Sequence, residues 1–197
     1  MIDEPAVSNS RRQEILDAAA AVFAEKGYHG TGMRDVADRL GMKAGSLYFH
    51  LASKDAALEE VCAMGMQISL RSARTAVAAG GDMATRVRAM IASQVREFAE
   101  HGDYISVYIH ERRHLSPEAL ARVTGISNEF RILIDQIFEE GRANGELAAG
   151  ISPRAARYGL VGQLRNLTQL YIEGPIRDFD AVAAEITEMF LSGTLNA

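Results

Sequence analysis

Two groups of residues in this chain have the types and spacing that chemistry needs. The first is His110-Glu111-Arg112-Arg113-His114. Two histidines one helical turn apart share a helix face and can hold Zn²⁺, and the glutamate between them can activate a bound water. Such a site would make a zinc-dependent hydrolase. Its surroundings argue against that reading. Two arginines fill the intervening positions and set cations beside the would-be metal, and no third histidine follows at the spacing of the longer zinc-protease signature. Glu129 and Glu139 lie downstream, but no pattern marks either as a ligand. There is no phosphate-cradling lysine loop, no dinucleotide fingerprint and no nucleophile elbow. The expectation is therefore no metal, no cofactor and no catalytic residue.

The second group runs from Lys26 to Lys54. It holds five cations, Lys26, Arg34, Arg39, Lys43 and Lys54, against Asp35 and Asp38. The local balance is basic although the whole chain carries a net charge of −5. Phosphate contacts dominate nucleic-acid affinity, and they need clustered cations rather than an overall basic protein. Arg11 and Arg12 add a basic edge ahead of this stretch. Taken singly, each residue has an ordinary structural reading: Arg34 beside Asp35 as a surface pair, Tyr48 and Phe49 as core aromatics. Their clustering is compatible with contact to the phosphates of double-stranded DNA.

The elements that must present these residues can be read from spacing. Met33, Val36, Ala37 and Leu40 recur at i, i+3, i+4 and i+7, one apolar stripe of a helix. Gly41 ends it, because glycine takes a left-handed conformation at a helix C-terminus without a Cβ clash. The next helix must be short, since only six residues separate Gly41 from Tyr48. Leu47 faces inward, and Lys43, Ala44, Ser46, Tyr48 and Phe49 face largely outward. A short helix led by small and polar residues and held by another helix suits a major groove.

GYHGTGMRDVA followed by GMKAGSLYFHLASKDAAL resembles the DNA-binding region of the TetR family of transcriptional regulators. The order Gly-Tyr, Thr31, Arg34-Asp35-Val36-Ala37, Gly41, Gly45-Ser46-Leu47-Tyr48 and Ser53-Lys54-Asp55 carries the resemblance. It implies an all-α chain with a helix-turn-helix domain at 8–68 (motif 32–51) and a C-terminal effector-binding and dimerisation domain at 69–197. By the same resemblance Ala44, Gly45, Ser46, Tyr48 and Phe49 lie against the groove with His50 at its edge. Arg34, Lys43 and Lys54 complete the expected DNA set. Ser53 caps the helix that Lys54 opens, and Lys54 faces a phosphate at that positive helix end. Lys43 stands where family members usually have Ser or Thr, which weakens the cap but adds a cation.

The remaining chain, of 197 residues with 4 Pro and 1 Cys, reads as helices throughout, about nine in all. No run of alternating β-branched residues appears. Ser116-Pro117-Glu118 and Ser152-Pro153 are helix openings, with a serine cap and Pro at the first helical position. Separate helices are expected at about Met83 to Glu100 and near Tyr104 to His114. Leu160, Leu164, Leu167, Leu170 and Tyr171 stripe helix 8, and Ile186, Met189 and Phe190 stripe helix 9. The resemblance makes these two helices the interface of a symmetric homodimer. The lone Cys62 lies on an apolar stripe and reads as a buried, inert thiol. No basic leader with an apolar core opens the chain, and no stretch is long and apolar enough for a membrane span, so the expected location is cytoplasmic.

The segment from His110 to Leu147 is more loosely similar to members that respond to acyl-coenzyme A thioesters. An acyl-CoA needs cations for its phosphates and an apolar tunnel for its chain. Arg112, Arg113, Arg131 and Arg165 are expected to supply the first; Met64, Met66, Tyr108, Ile134 and Phe138 are expected to line the second. The function expected is a ligand-responsive repressor released from a palindromic operator.

Overall fold

The computed structural model describes residues 4–173 and 179–195, with side chains described for 11–170 and 179–195. The chain is all-α, with eight α-helices and one 3₁₀ turn among the described residues. They are α1 (Glu4–Gly30), α2 (Met33–Arg39), α3 (Ala44–Leu47), α4 (Lys54–Ala79), α5 (Met83–Glu111), α6 (Pro117–Ala143), α7 (Pro153–Glu173) and α8 (Phe179–Thr194), with the 3₁₀ turn at Arg112–His114.

Local chemistry accounts for most boundaries. Within α1, Gly27 takes a positive φ (68°), so the regular helix stops at Lys26. Gly80 and Gly81 (φ 65° and 79°) end α4, and Gly145 (φ 76°) ends α6. Ser53, Ser116 and Ser152 each accept the backbone N–H three residues on, at 3.0, 3.2 and 3.1 Å, and so cap α4, α6 and α7. Pro117 and Pro153 open their helices.

One boundary differs. The segments expected as separate helices on either side of residues 100–104 are joined in one element, α5, across a kink at His101, whose φ −136° and ψ 25° are not helical. No glycine with positive φ interrupts it, and Phe98 and Tyr104 on the two sides of the bend are both buried. Counted as one element across that kink, α5 brings the described helices to eight; counted as two segments, it gives the expected nine. Gly174 and Pro175 of the expected stop, and the side chain of Tyr171, lie outside the described residues.

Two compact units divide the chain: Met1–Met66 with Asp103–Thr124, and Gln67–Gly102 with Gly125–Ala197. The core of the first is Ile15, Ala19, Val22 and Phe23 of α1, Val36 of α2, Leu47, Leu51, and Leu58, Val61 and Cys62 of α4, all buried. In the second, Met83, Val87, Met90 and Ile91 of α5, Ile134, Ile137 and Phe138 of α6, Leu160 and Leu167 of α7 and Leu191 of α8 are buried.

Candidate functional site

The helix-turn-helix is built around α2. Met33, Val36 and Ala37 bury its inner face. The Gly32 N–H donates to Asp35 Oδ2 at 2.6 Å, and Lys26 Nζ lies 2.5 Å from Asp35 Oδ1. The lysine, then the Gly32 amide, hold this carboxyl below the ordinary carboxylate range. Gly41 turns the chain at φ 61°. The Met42 N–H returns to the Ala37 carbonyl at 3.0 Å and the Gly41 N–H to that of Asp38 at 3.1 Å, which closes the C-terminus of α2.

After this turn α3 has only four residues, of which Leu47 alone is buried. Lys43 sits at its start in an extended conformation with no side-chain cap hydrogen bond, as its residue type predicts. The chain leaves α3 through turns that bring the His50 and Leu51 N–H groups to the Leu47 carbonyl at 2.9 and 3.0 Å. Leu51 is buried beside the core. The opposite side is open. Gly45 and Ser46 are exposed, Tyr48 is 52% exposed and Phe49 91%, while Ala44 and His50 are half-buried. The expected DNA-facing residues thus lie together on one exposed surface around α3.

The cations divide into two sets. Lys26 pairs with Asp35 and Arg39 with Glu25, both at 2.5 Å. Asp35 is therefore engaged by Lys26 and not by its neighbour Arg34. Arg34 and Lys43 are exposed and have no ion-pair partner among the described residues. Lys54 is placed by an aromatic residue that sequence reasoning used only as a spacing mark. Its ammonium lies 4.2 Å from the centre of the Tyr28 ring, and the Tyr28 hydroxyl donates to Asp55. That hydrogen bond to a carboxylate, then burial, pushes the phenol up to about 12.

The His110–His114 segment does not take the geometry that a two-histidine zinc site would need. The α-helix stops at Glu111 and continues as a 3₁₀ turn, so the two histidines do not share one α-helical face. Glu111 Oε2 accepts the Tyr28 N–H at 2.9 Å, and the His114 ring stacks on Tyr28 at 5.2 Å. No group of three or more metal-ligating side chains occurs among the described residues.

The expected effector residues fall in both units. In the first, Met66 is buried, Met64 is half-buried, and Arg112 donates to the carbonyls of Tyr108 (3.2 Å) and Ile109 (3.0 Å) with its guanidinium over the Tyr108 ring. In the second, Ile134 and Phe138 are core residues, Phe138 packing edge-on against Phe190. Arg131 is exposed and paired with Asp135 at 2.9 Å, and Arg165 is exposed. A half-open groove of about 420 Å³ between α5 and α8 is floored by Ile91, Val95, Ala183 and Thr187, and none of the expected effector residues lines it.

Helices 8 and 9 of the sequence count are α7 and α8. Leu160, Leu164 and Leu167 are already buried within the protomer. Phe190 packs so close to Gly159 that a Cβ there would lie 3.0 Å from its ring. The exposed apolar side chains are instead Tyr158 (57%) and Met189 (72%). Cys62 is fully buried with its thiol toward the Val107 carbonyl, and burial pushes it up to about 12. No described helix is long and apolar enough to cross a membrane.

Residues 15–61 match the family profile of bacterial regulatory proteins, tetR family, and residues 80–194 match a tetracyclin repressor-like C-terminal domain. The HTH-type transcriptional repressor KstR2 of Rhodococcus jostii is 28% identical over 97% of this chain and 94% of its own. The ketosteroid transcriptional regulator KstR2 of Mycobacterium tuberculosis shares the fold at a TM-score of 0.86, with 23% identity over 96% of this chain and 97% of that one. AibR, solved with isovaleryl coenzyme A and operator DNA, shares it at 0.80, with 19% identity over 91% of this chain and 97% of its own.

Proposed function

This chain belongs to the tetR family of bacterial regulatory proteins, a family of transcription regulators and not of enzymes, and on that basis we propose that it is a ligand-responsive repressor. In this reading residues 8–68 are the DNA-binding domain, and 69–197 bind the effector and dimerise. A homodimer through α7 and α8 sets two copies of α3 into major grooves one helical turn apart on a palindromic operator. Arg34, Lys43 and Lys54 contact phosphates. Ala44, Gly45, Ser46, Tyr48 and Phe49 face the bases, with His50 at the rim. One observation carries the reading: two large rings, Tyr48 and Phe49, stand in water around a helix whose inward residue, Leu47, is fully buried. Rings left exposed beside unpaired cations mark a binding surface and not a solvated face.

The effector is proposed to be an elongated, mostly apolar molecule with an anionic end, and an acyl-CoA thioester is the first choice. The coenzyme A complex of AibR, a protein of the same fold, supports this class. Release of DNA is a population shift: the effector must bind the DNA-incompetent dimer more tightly, because equal affinity for both states shifts nothing. The test is calorimetry of the protein against a panel of acyl-CoAs and free fatty acids, paired with release of a DNA duplex that the protein has selected from a randomised pool. Binding by one class with concomitant release supports the reading. Binding by none, or binding without release, overturns the effector. Failure to select any duplex overturns the regulator itself. If Arg165 holds a phosphate, Arg165→Met weakens the effector and leaves effector-free DNA binding intact.

A further inference from the structure

With four residues, α3 cannot set its own direction. The first four N–H groups and last four C=O groups of any helix lack partners inside it, and a single turn has no others. Beneath α3 and its exit turn only Leu47 and Leu51 are buried. Two buried side chains leave the helix free to roll about the line that joins them. The turn from α2 supplies one constraint on its angle, and α1 supplies another.

Arg12 of α1 donates from Nη1 to the His50 carbonyl at 2.7 Å and from Nη2 to Glu60 Oε2 at 2.6 Å. His50 closes the exit of α3, and Glu60 lies on α4. One guanidinium therefore ties three elements together at the end of the exposed surface. Its neighbour Arg11 reaches the other end, with Nη2 at 3.8 Å from the sulfur of Met42, two residues before the start of α3.

We propose that Arg12 is a positioning residue for DNA recognition, fixing the angle of α3 through the His50 carbonyl and Glu60, and that it contacts no phosphate. The proposal rests on the reading of α3 as the recognition helix. The chemistry favours positioning over a backbone contact on DNA. Two nitrogens of the fork are committed within the protein, and the Glu60 carboxylate offsets the charge that a phosphate would otherwise attract. Arginine suits the task because its planar fork fixes two acceptors at a set angle. A lysine could reach either acceptor but would not hold their relative direction. The sequence shows only two adjacent arginines, a basic edge ahead of the motif.

The experiment compares the full chain with Arg12→Met, Arg12→Lys, Glu60→Gln and the double variant Arg12→Met/Glu60→Gln. Each is titrated with a duplex that the wild-type protein has recovered from a randomised pool and with unselected pool duplex, over a range of salt concentrations. If α3 loses its angle, contacts to at least one base pair per half-site are lost, so Arg12→Met should weaken the selected duplex about tenfold or more. Unselected duplex should be bound as before, with an unchanged salt slope. Glu60→Gln should shift binding in the same direction by less, and the double variant should be no worse than Arg12→Met alone. Arg12→Lys should keep the slope yet lose discrimination, and it carries the comparison if the methionine variant does not fold. A fall in slope of about one unit per arginine would identify a phosphate contact and overturn the proposal. Equal losses on selected and unselected duplex, or a lower melting temperature with discrimination intact, would show a merely structural arginine and overturn it too. If the wild-type protein recovers no duplex, the recognition-helix reading fails first, which separates the two failures.

Discussion

Lys54→Ala should flatten the salt dependence of operator binding by an amount that the structure sets. Lys54 opens α4, where Ser53 caps one backbone amide and the remaining first-turn amides and the helix dipole favour a phosphate. Its ammonium is held 4.2 Å from the Tyr28 ring and so is placed before DNA arrives. The proposed dimer presents two such lysines. Each phosphate contact contributes about 0.9 to the slope of log affinity against log salt, so two lost contacts should lower it by about 1.8. Between about 50 and 200 mM salt the wild type should then lose roughly 12-fold more affinity than the variant. That difference is about 1.5 kcal/mol of salt-sensitive binding energy. Tyr28, with its phenol pushed up to about 12, stays neutral near neutral pH, so the slope difference should not change between about pH 6.5 and 8.5. Fluorescence anisotropy of a labelled duplex at four or more salt concentrations measures it, with Lys54→Arg as the control that keeps the slope. A folded, dimeric Lys54→Ala protein with the wild-type slope would remove Lys54 from the interface. A loss that is equal at every salt concentration would assign it a structural role through Tyr28.

Gly65→Ala should lower the melting temperature, because its Cβ would lie 2.3 Å from the Tyr104 carbonyl oxygen, a backbone atom that moves only with its helix. Overpacking of this kind costs about 1–3 kcal/mol, or roughly 2–4 °C per kcal/mol at this chain length. Gly125→Ala, inside α6 with nothing within 4 Å of its Cβ, should instead stabilise by up to about 1 kcal/mol; calorimetry showing the opposite order would refute the packing argument. Met189→Glu should yield a folded monomer with weakened DNA binding, whereas Leu164→Glu should unfold the chain, since Met189 is exposed and Leu164 buried within the protomer. Light scattering decides this, and a dimeric Met189→Glu protein would place the interface elsewhere. Asp35→Asn should destabilise the helix-turn-helix at neutral pH and lose that effect in acid. The folded carboxyl titrates below its ordinary range, so its contribution is full above the ordinary carboxylate pKa and is lost as pH falls through the folded value. A melting-temperature difference that is the same at pH 7 and at about pH 3 would contradict the sign.

What could be read from the chain alone is what depends on a few adjacent residues. The serine caps of α4, α6 and α7, the glycine stop at Gly41 and the inward-facing Leu47 all lie where the pattern put them. Each involves backbone groups no more than about four positions away, so residue type and spacing are enough. The exposed grouping of Tyr48, Phe49 and Lys43 follows for the same reason, because a helix this short has one inward position. Tertiary structure decided the rest, through partners far along the chain. Arg12 meets its acceptors 38 and 48 positions away, and Tyr28 meets Glu111 83 positions away. Those contacts turn an arginine that reads as part of a basic edge into a tie across three elements, and a zinc-like HExxH segment into a support for Tyr28. The same holds for the leucine stripe of α7, which packs within the protomer. A periodic apolar stripe states that a face must be buried, and only the folded chain determines against what.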